Sequence, residues 1–407
     1  NLHHPEGILK QAQEEAAQLV GAQKAYFLVN GASVGIQAAI LAACQEKEEI
    51  IVPRNVHMSV LSGLILSGAT PVFCPVMQDE TWLLPKPYTI EEMQKVMQAH
   101  PKAKACLVTH ADYHGLCADL TATAQLCRAQ QCLLLADEAH GSHFAFLPDG
   151  PVSAKEAGAD LSVQSFHKTM GSYTQSAILC NFSGRLSVGK YLHFLQSTSP
   201  SYLLMDSLQK AVRLWLADGA QLGQRLSDLA QKARIQIAQI EGIAVLPNQD
   251  PSRLVIKGPK SGAHLAAFLA QNGIYVEMAE RKAVTLVLTY AHQESDIELL
   301  VQVLWSYAKQ YREIEEEQCS LPLFSLPQMV CTPREAVRKE SKNCPLSQAI
   351  GHIAADMVIP YPPGIPVLLP GEEISAETVC LLQELVQRPG EIIGLEKDSA
   401  ICLKVIK

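Results

Sequence analysis

The sequence lacks several features, and each absence removes a class of function. No apolar run is long enough to span a bilayer. No block of basic residues occurs, and the formal net charge of -8 argues against a nucleic-acid partner. The 12 cysteines include no C-x-x-C pair, which removes a zinc ribbon and a thioredoxin-type centre, so no metal is expected. No G-x-x-x-x-G-K-[ST] loop is present, so P-loop nucleotide hydrolysis is excluded. Residues 1–7 show no signal-peptide pattern of a basic patch followed by an apolar core. The chain opens on Asn1 rather than methionine, and a natural segment is expected to precede it.

What remains is a chain of 407 residues, 48% hydrophobic, long enough for two or three domains. Scattered cysteines in a chain of this size read as reduced, buried thiols of a cytoplasmic protein. Short apolar runs at Ala25–Val29, Ile50–Val52, Thr70–Phe73, Ala105–Thr109, Cys132–Ala136, Leu161–Gln164 and Ser176–Asn181 alternate with helical patterns. Continuous apolar strands between helices predict an α/β fold with a mostly parallel sheet covered on both faces. A long helical pattern begins at Tyr202, and shorter strands at Arg253–Lys257 and Val284–Thr289 suggest a smaller α/β unit. An acidic, then proline-punctuated stretch from Tyr311 to Pro333 reads as a linker. The expected division is 1–215, 216–315 and 316–407. In the last unit, the run Pro360 to Pro366 is too proline-rich for a helix or a central strand.

Polar and small residues follow the apolar runs of the first unit. Lys168 lies in Ser165-Phe166-His167-Lys168-Thr169, just past a strand. At the carboxyl edge of an open sheet its amine is desolvated and ready for Schiff-base chemistry, with Ser165 and His167 suited to a phosphate. A solvated loop lysine is the bland alternative. Asp137-Glu138-Ala139-His140-Gly141 directly follows the apolar run Cys132–Ala136. A carboxylate there suits the pyridine nitrogen of pyridoxal phosphate (PLP), whose protonated ring is an electron sink; a helix cap or metal ligand is the alternative. Asn30-Gly31-Ala32-Ser33-Val34-Gly35 brings small residues to a helix start, where backbone N–H groups can meet a phosphate. By itself that run reads as an ordinary turn capped by Ser33. His57, in Pro53-Arg54-Asn55-Val56-His57, opens a helix and could stack on a ring, although a lone histidine there is more often structural. Thr109 to Gly115 is a fifth polar run after a strand. Each signal is modest, but their placement at one sheet edge predicts one cofactor site.

These residues resemble the fold-type I PLP enzymes (aspartate aminotransferase-like), and more narrowly the Orn/Lys/Arg decarboxylase family in its short bacterial form. The similarity lies in Phe27 to Gly31, Asp137 to Gly141, His167 to Thr169 with Thr174-Gln175, Gln196 to Tyr202, and Met357 to Pro366 with Pro370-Gly371-Glu372. It implies a PLP-binding large domain, a small α/β domain and a decarboxylase-type C-terminal domain. By position it implies that Lys168 binds the cofactor, Asp137 pairs with the ring nitrogen, and His57 stacks on the face opposite Ala139. Ala32, Ser33, Val34, His140, Ser165 and His167 belong to the same cofactor site, and Ser33, Ser165 and His167 hold the phosphate. Ser197-Thr198-Ser199 reach towards the partner of a homodimer or larger homo-oligomer. Glu277 and the Tyr361 loop are weaker candidates for the substrate side. Ala32, Val34 and Phe166 depart from the family pattern, which puts phosphate affinity and substrate identity in question.

The implied activity is α-decarboxylation of a basic amino acid. Arginine is favoured, giving agmatine and CO₂ and feeding polyamine synthesis, with lysine and ornithine as alternatives. His167 or Lys168 returns a proton to Cα, and Glu277 or Asp356 could meet the distal cation. The competing readings are an aminotransferase or other lyase, with Arg281 binding the α-carboxylate, and a non-catalytic relative.

Overall fold

The computed structural model describes residues 1–311, 326–361, 364–387, 391–397 and 400–407. The greater part of the stretch read as a linker, the predicted 316 boundary, and Pro362 and Pro363 lie outside the described residues.

The first unit alternates strands and helices: α1 (Gly7–Val20), β1 (Lys24–Leu28), α2 (Gly31–Ala43), β2 (Glu49–Pro53), α3 (Met58–Ser67), β3 (Thr70–Cys74), α4 (Ile90–Ala99), β4 (Ala105–Thr109), α5 (Leu120–Ala129) and β5 (Leu133–Asp137). It continues with α6 (Ala154–Ala157), β6 (Leu161–Gln164), α7 (Phe166–Thr169), β7 (Ala177–Asn181), α8 (Gly189–Leu195) and α9 (Tyr202–Ile237). The seven strands form one sheet in the order β1-β7-β6-β5-β4-β2-β3. β7 runs antiparallel to both of its neighbours, β1 and β6, and the remaining pairs are parallel. Two apolar clusters cover the two faces, as continuous apolar strands require. Helix α2 crosses its face so closely that only glycine fits at position 35. A Cβ there would lie 2.7 Å from Leu28 Cδ1 and 2.8 Å from Val163 Cγ1.

Helix α9 spans two units. Its first half places Met205, Leu208, Val212 and Trp215 in the sheet's core, and its second half places Leu226, Ala230 and Ile237 in another. That second core belongs to an antiparallel sheet of order β10-β11-β9-β8, formed by β8 (Ala244–Val245), β9 (Arg253–Lys257), β10 (Met278–Ala279) and β11 (Ala283–Val287). Helices α10 (Gly262–Gln271) and α11 (Glu294–Gln310) pack with it.

The C-terminal unit contains α12 (Pro333–Arg338), β12 (Ser341–Pro345), β13 (Ile359–Tyr361), α13 (Ala376–Val386), β14 (Glu391–Ile393), β15 (Leu395–Lys397) and β16 (Ile401–Ile406). Its strands pair as β12-β16-β15 and β13-β14 around its own apolar cluster. Residues 359–361, at the head of the proline-rich run, form a strand of a two-stranded sheet, a position that tolerates proline. An ion pair joins this unit to the first. Arg54 donates to the carbonyls of Pro366 (2.8 Å) and Val367 (3.1 Å) and to Glu372 Oε2 (3.1 Å). Glu372 is fully buried.

Candidate active site

Strands β4, β5 and β6 are parallel neighbours, so their carboxyl ends open onto one edge. This is where an open α/β sheet binds ligands. Asp137 is the last residue of β5, and Lys168 sits in the single helical turn α7 that follows β6. The turn is set by Ser165, whose carbonyl accepts from the Lys168 backbone N–H at 3.1 Å.

Lys168 Nζ lies 2.7 Å from His140 Nε2 and 5.6 Å from the centre of the Tyr113 ring. The Tyr113 ring in turn meets the His140 ring edge-on at 4.5 Å. Burial pushes the Lys168 amine down to about 8, against the pull of Asp137 and with help from Arg253. His140 is held well below its usual range by burial and by the neighbouring Lys168 and Arg253 cations, so its ring is neutral.

Asp137 is 5% exposed and burial pushes its carboxyl up, with His57 and Lys168 opposing the shift. Among the described residues its carboxylate accepts one hydrogen bond, from the Ala139 N–H at 3.2 Å. His57 caps α3, its Nδ1 accepting from the Ser59 N–H at 3.2 Å, and burial lowers its pKa. His167 donates from Nδ1 to the Ser176 carbonyl at 2.8 Å, and burial lowers its pKa too. Ser165 is buried and its side chain caps nothing in α7.

The loop after the lysine turn is tied to the segment leading into α2, where Gln175 Nε2 donates to the Val29 carbonyl at 2.6 Å. Asn30 does not cap α2; its side chain accepts from the Ser197 N–H at 3.1 Å instead. The first-turn N–H groups of α2 therefore lack a side-chain partner from their N-cap. Ala32 and Ser33 are partly exposed there, whereas the Val34 side chain belongs to the apolar core, so that residue offers a ligand only its backbone.

Glu277 is exposed just before β10, and its charge acts on Lys168, Tyr113 and Arg253. Tyr361 lines a cavity of about 560 Å³ at the junction of the three units, with His114, Glu280, Arg281 and Glu384. A Cβ on Gly364 would come within 4.0 Å of His57 Cδ2, so the proline-rich loop reaches His57. Asp356 only accepts from its neighbour's backbone N–H in the described contacts. Arg281 is engaged with Glu384 of α13 at 3.0 Å.

Two contributors were not singled out from the sequence. Arg253, the first residue of β9, donates to His140 Nδ1 at 3.0 Å. A charged residue opening an apolar strand was the available signal. Glu138, beside Asp137, accepts from the Ala154 N–H (2.8 Å) and Gln164 Nε2 (2.7 Å), and burial raises its carboxyl to about 7.

Whether this site suits PLP turns on Asp137. A buried carboxylate with one hydrogen bond, raised in pKa because its charge is poorly compensated, gains from a cationic heterocycle. A partly buried amine stands within its electrostatic reach, and an uncapped helix start is available for an anion. The residues fit the group.

Fold and site together define a class, the fold-type I enzymes that use PLP. The solved serine palmitoyltransferase of Sphingomonas wittichii shares this fold with a TM-score of 0.63 and 16% identity, over 75% of this chain and 77% of its own. The chain belongs to the Orn/Lys/Arg decarboxylase family, whose major domain matches residues 1–260 and whose C-terminal domain matches residues 316–397. The arginine decarboxylase of Bacillus subtilis is 34% identical over all of this chain and 87% of its own length. The lysine decarboxylase LdcA of Pseudomonas aeruginosa is 24% identical over 93% of this chain and 67% of its own. A solved structure of lysine decarboxylase A from that organism superposes with a TM-score of 0.86 at 20% identity, covering all of this chain and 72% of that one. Among the described residues no helix is long and apolar enough to cross a membrane.

Proposed function

We propose that the protein is a PLP-dependent α-decarboxylase of a basic amino acid, with arginine as the preferred substrate and agmatine and CO₂ as products. The observation that carries this is the placement of Lys168 and Asp137 beyond neighbouring parallel strands, where burial raises the Asp137 carboxyl and lowers the Lys168 amine while the charge of each opposes the other's shift. Bound PLP supplies an aldehyde for the lysine and a protonated ring that takes up the electron pair left when CO₂ departs.

The chain's own residues do the rest. With PLP bound, Asp137 would hold a proton at the ring nitrogen, and His57, from the α3 cap, would lie against the ring. Ser33, Ser165 and the first turn of α2 receive the phosphate. Lys168 returns the proton to Cα. His167 is the less available proton donor, because burial favours its neutral ring and its Nδ1–H is committed to the Ser176 carbonyl. Glu277 faces the same site and offers a carboxylate to the distal cation.

Arginine is preferred because the full-length likeness of 34% is to an arginine decarboxylase, against 24% for the lysine enzyme. The aminotransferase reading is weakened by the Arg281–Glu384 pair, which engages the arginine that would have to bind an α-carboxylate. A homodimer is supported by the exposed Ser197 to Ser199 segment, flanked by Phe194, Tyr202 and Leu203, each about three-quarters exposed. The place of action is the cytoplasm, and the agmatine formed would feed polyamine synthesis. Incubation with arginine, lysine or ornithine should release CO₂ and the matching amine, fastest from arginine. Formation of a keto acid without CO₂ would overturn the proposal.

A further inference from the structure

Arg253 is fully buried and belongs to the small antiparallel sheet, yet its guanidinium reaches across to the loop that follows β5. There it meets His140 Nδ1 at 3.0 Å, while His140 Nε2 meets Lys168 Nζ at 2.7 Å. The guanidinium is held from behind by Asp250, whose Oδ2 lies 3.6 Å from Arg253 Nε. Asp250 is itself fixed by Ser252 Oγ at 2.6 Å and by His143 Nε2 at 3.3 Å. Arg253, His140, Asp250, Ser252 and His143 are all buried.

The hydrogen-bond chemistry of this row is one-directional. A guanidinium has only donors, so His140 Nδ1 must present a lone pair. A neutral imidazole then carries its single proton on Nε2, which points at Lys168 Nζ. An amine can accept that hydrogen bond. An ammonium, with three donors and no acceptor, cannot.

We propose that Arg253 is a positioning residue for the lysine: by donating to His140 Nδ1 it fixes the proton on Nε2, and so selects the unprotonated, nucleophilic form of Lys168. This rests on the reading of Lys168 as the residue that condenses with the PLP aldehyde. Other groups facing Nζ act in both directions. Asp137 at the end of β5, Glu277 before β10 and the Tyr113 ring favour the ammonium. His57 from the α3 cap and His167 in the same turn as the lysine are held neutral by burial, and Arg253 adds a like charge. The row from Asp250 to His140 offsets the anionic side and joins the small unit to the chemistry of the large one.

The test uses two measurements on protein freed of PLP. In histidine-¹⁵N-labelled protein, the His140 signals, identified by their loss in His140→Gln, should show the Nε2–H tautomer; an Nδ1–H tautomer would overturn the proposal without needing an Arg253 variant. The rate of PLP condensation, followed by absorbance against pH, should have its midpoint near 8 in the unaltered protein. In Arg253→Met the midpoint should rise by about one pH unit, a roughly tenfold fall in the reactive fraction at neutral pH, and Arg253→Lys should restore much of it. An unmoved midpoint in a folded Arg253→Met protein would sink the inference alone. Borohydride reduction of the unaltered protein that leaves no pyridoxyl group on Lys168 would sink the lysine assignment, and this inference with it.

Discussion

The two larger sheets serve one site in opposite ways. The seven-stranded sheet delivers Asp137 and Lys168 at the ends of adjacent parallel strands, each inside a short run of polar residues that follows an apolar one. The antiparallel sheet delivers Arg253 from the first residue of β9 and Glu277 from the turn before β10. Parallel strands need crossover helices, so their ends open onto a shared edge and gather groups from many turns. An antiparallel strand in a small unit offers an isolated charge, whose meaning depends on what it meets across the junction. Under the function and the inference proposed above, the edge carries the reacting groups and the small sheet sets the protonation of Lys168.

The largest break in that division comes from Lys168→Ala, which should lower decarboxylation by more than about 10³-fold. It should also remove the borohydride-trapped pyridoxyl peptide. An adduct mapped elsewhere would show that the edge does not carry the chemistry. Asp137→Asn should retain the trapped adduct yet lose about 10²–10³-fold in turnover, because the neutral amide no longer stabilises a ring proton; steady-state rates on arginine measure this.

The third unit enters through Arg54, three residues before His57 in sequence. Its partner Glu372 is buried, so Arg54→Met should destabilise the protein by about 3–5 kcal/mol in urea unfolding. The double change Arg54→Met with Glu372→Leu should cost less than either single one. A double loss equal to the sum of the two single losses would mean that the pair is not coupled.

The smallest effect sharpens the contrast between two neighbouring carboxyls. Burial raises Glu138 from 4.5 to about 7. A raised carboxyl stabilises the fold fully below its unfolded value and loses that contribution as pH climbs through its folded value. Glu138→Gln cannot titrate, so its melting temperature should vary less between pH 4.5 and 7 than that of the unaltered protein. The new amide can be satisfied, since Gln164 Oε1 is buried without a partner and can accept after an amide flip. An unchanged pH slope would place the titration on another group.

Much of the large unit was legible because its periodicities are strong. The strands at Ala105–Thr109 and Leu161–Gln164 have the bounds that the sequence suggests. The direction of β7 was not legible, since a buried antiparallel strand such as Ala177–Asn181 is as apolar as a parallel one. Nor were the strands of the C-terminal unit: Ser341–Pro345 is largely exposed and polar, so no alternation marks it. In the site, Lys168 and Asp137 stand out because charge follows an apolar run. Arg253 carries no such local signature, and neither does the commitment of Arg281 to Glu384, a residue 103 positions away.

By itself, the order of residues determined that a sheet would form, which of its ends would be polar, and that a lysine and an aspartate would stand there. Those features follow from hydrophobic periodicity and the side-chain alternation of a strand, both local properties of the chain. Only the tertiary structure decided which ring nitrogen of His140 faces the lysine and how far burial shifts each charge. Tautomer and desolvation depend on groups brought together from different units, and no local pattern encodes that meeting.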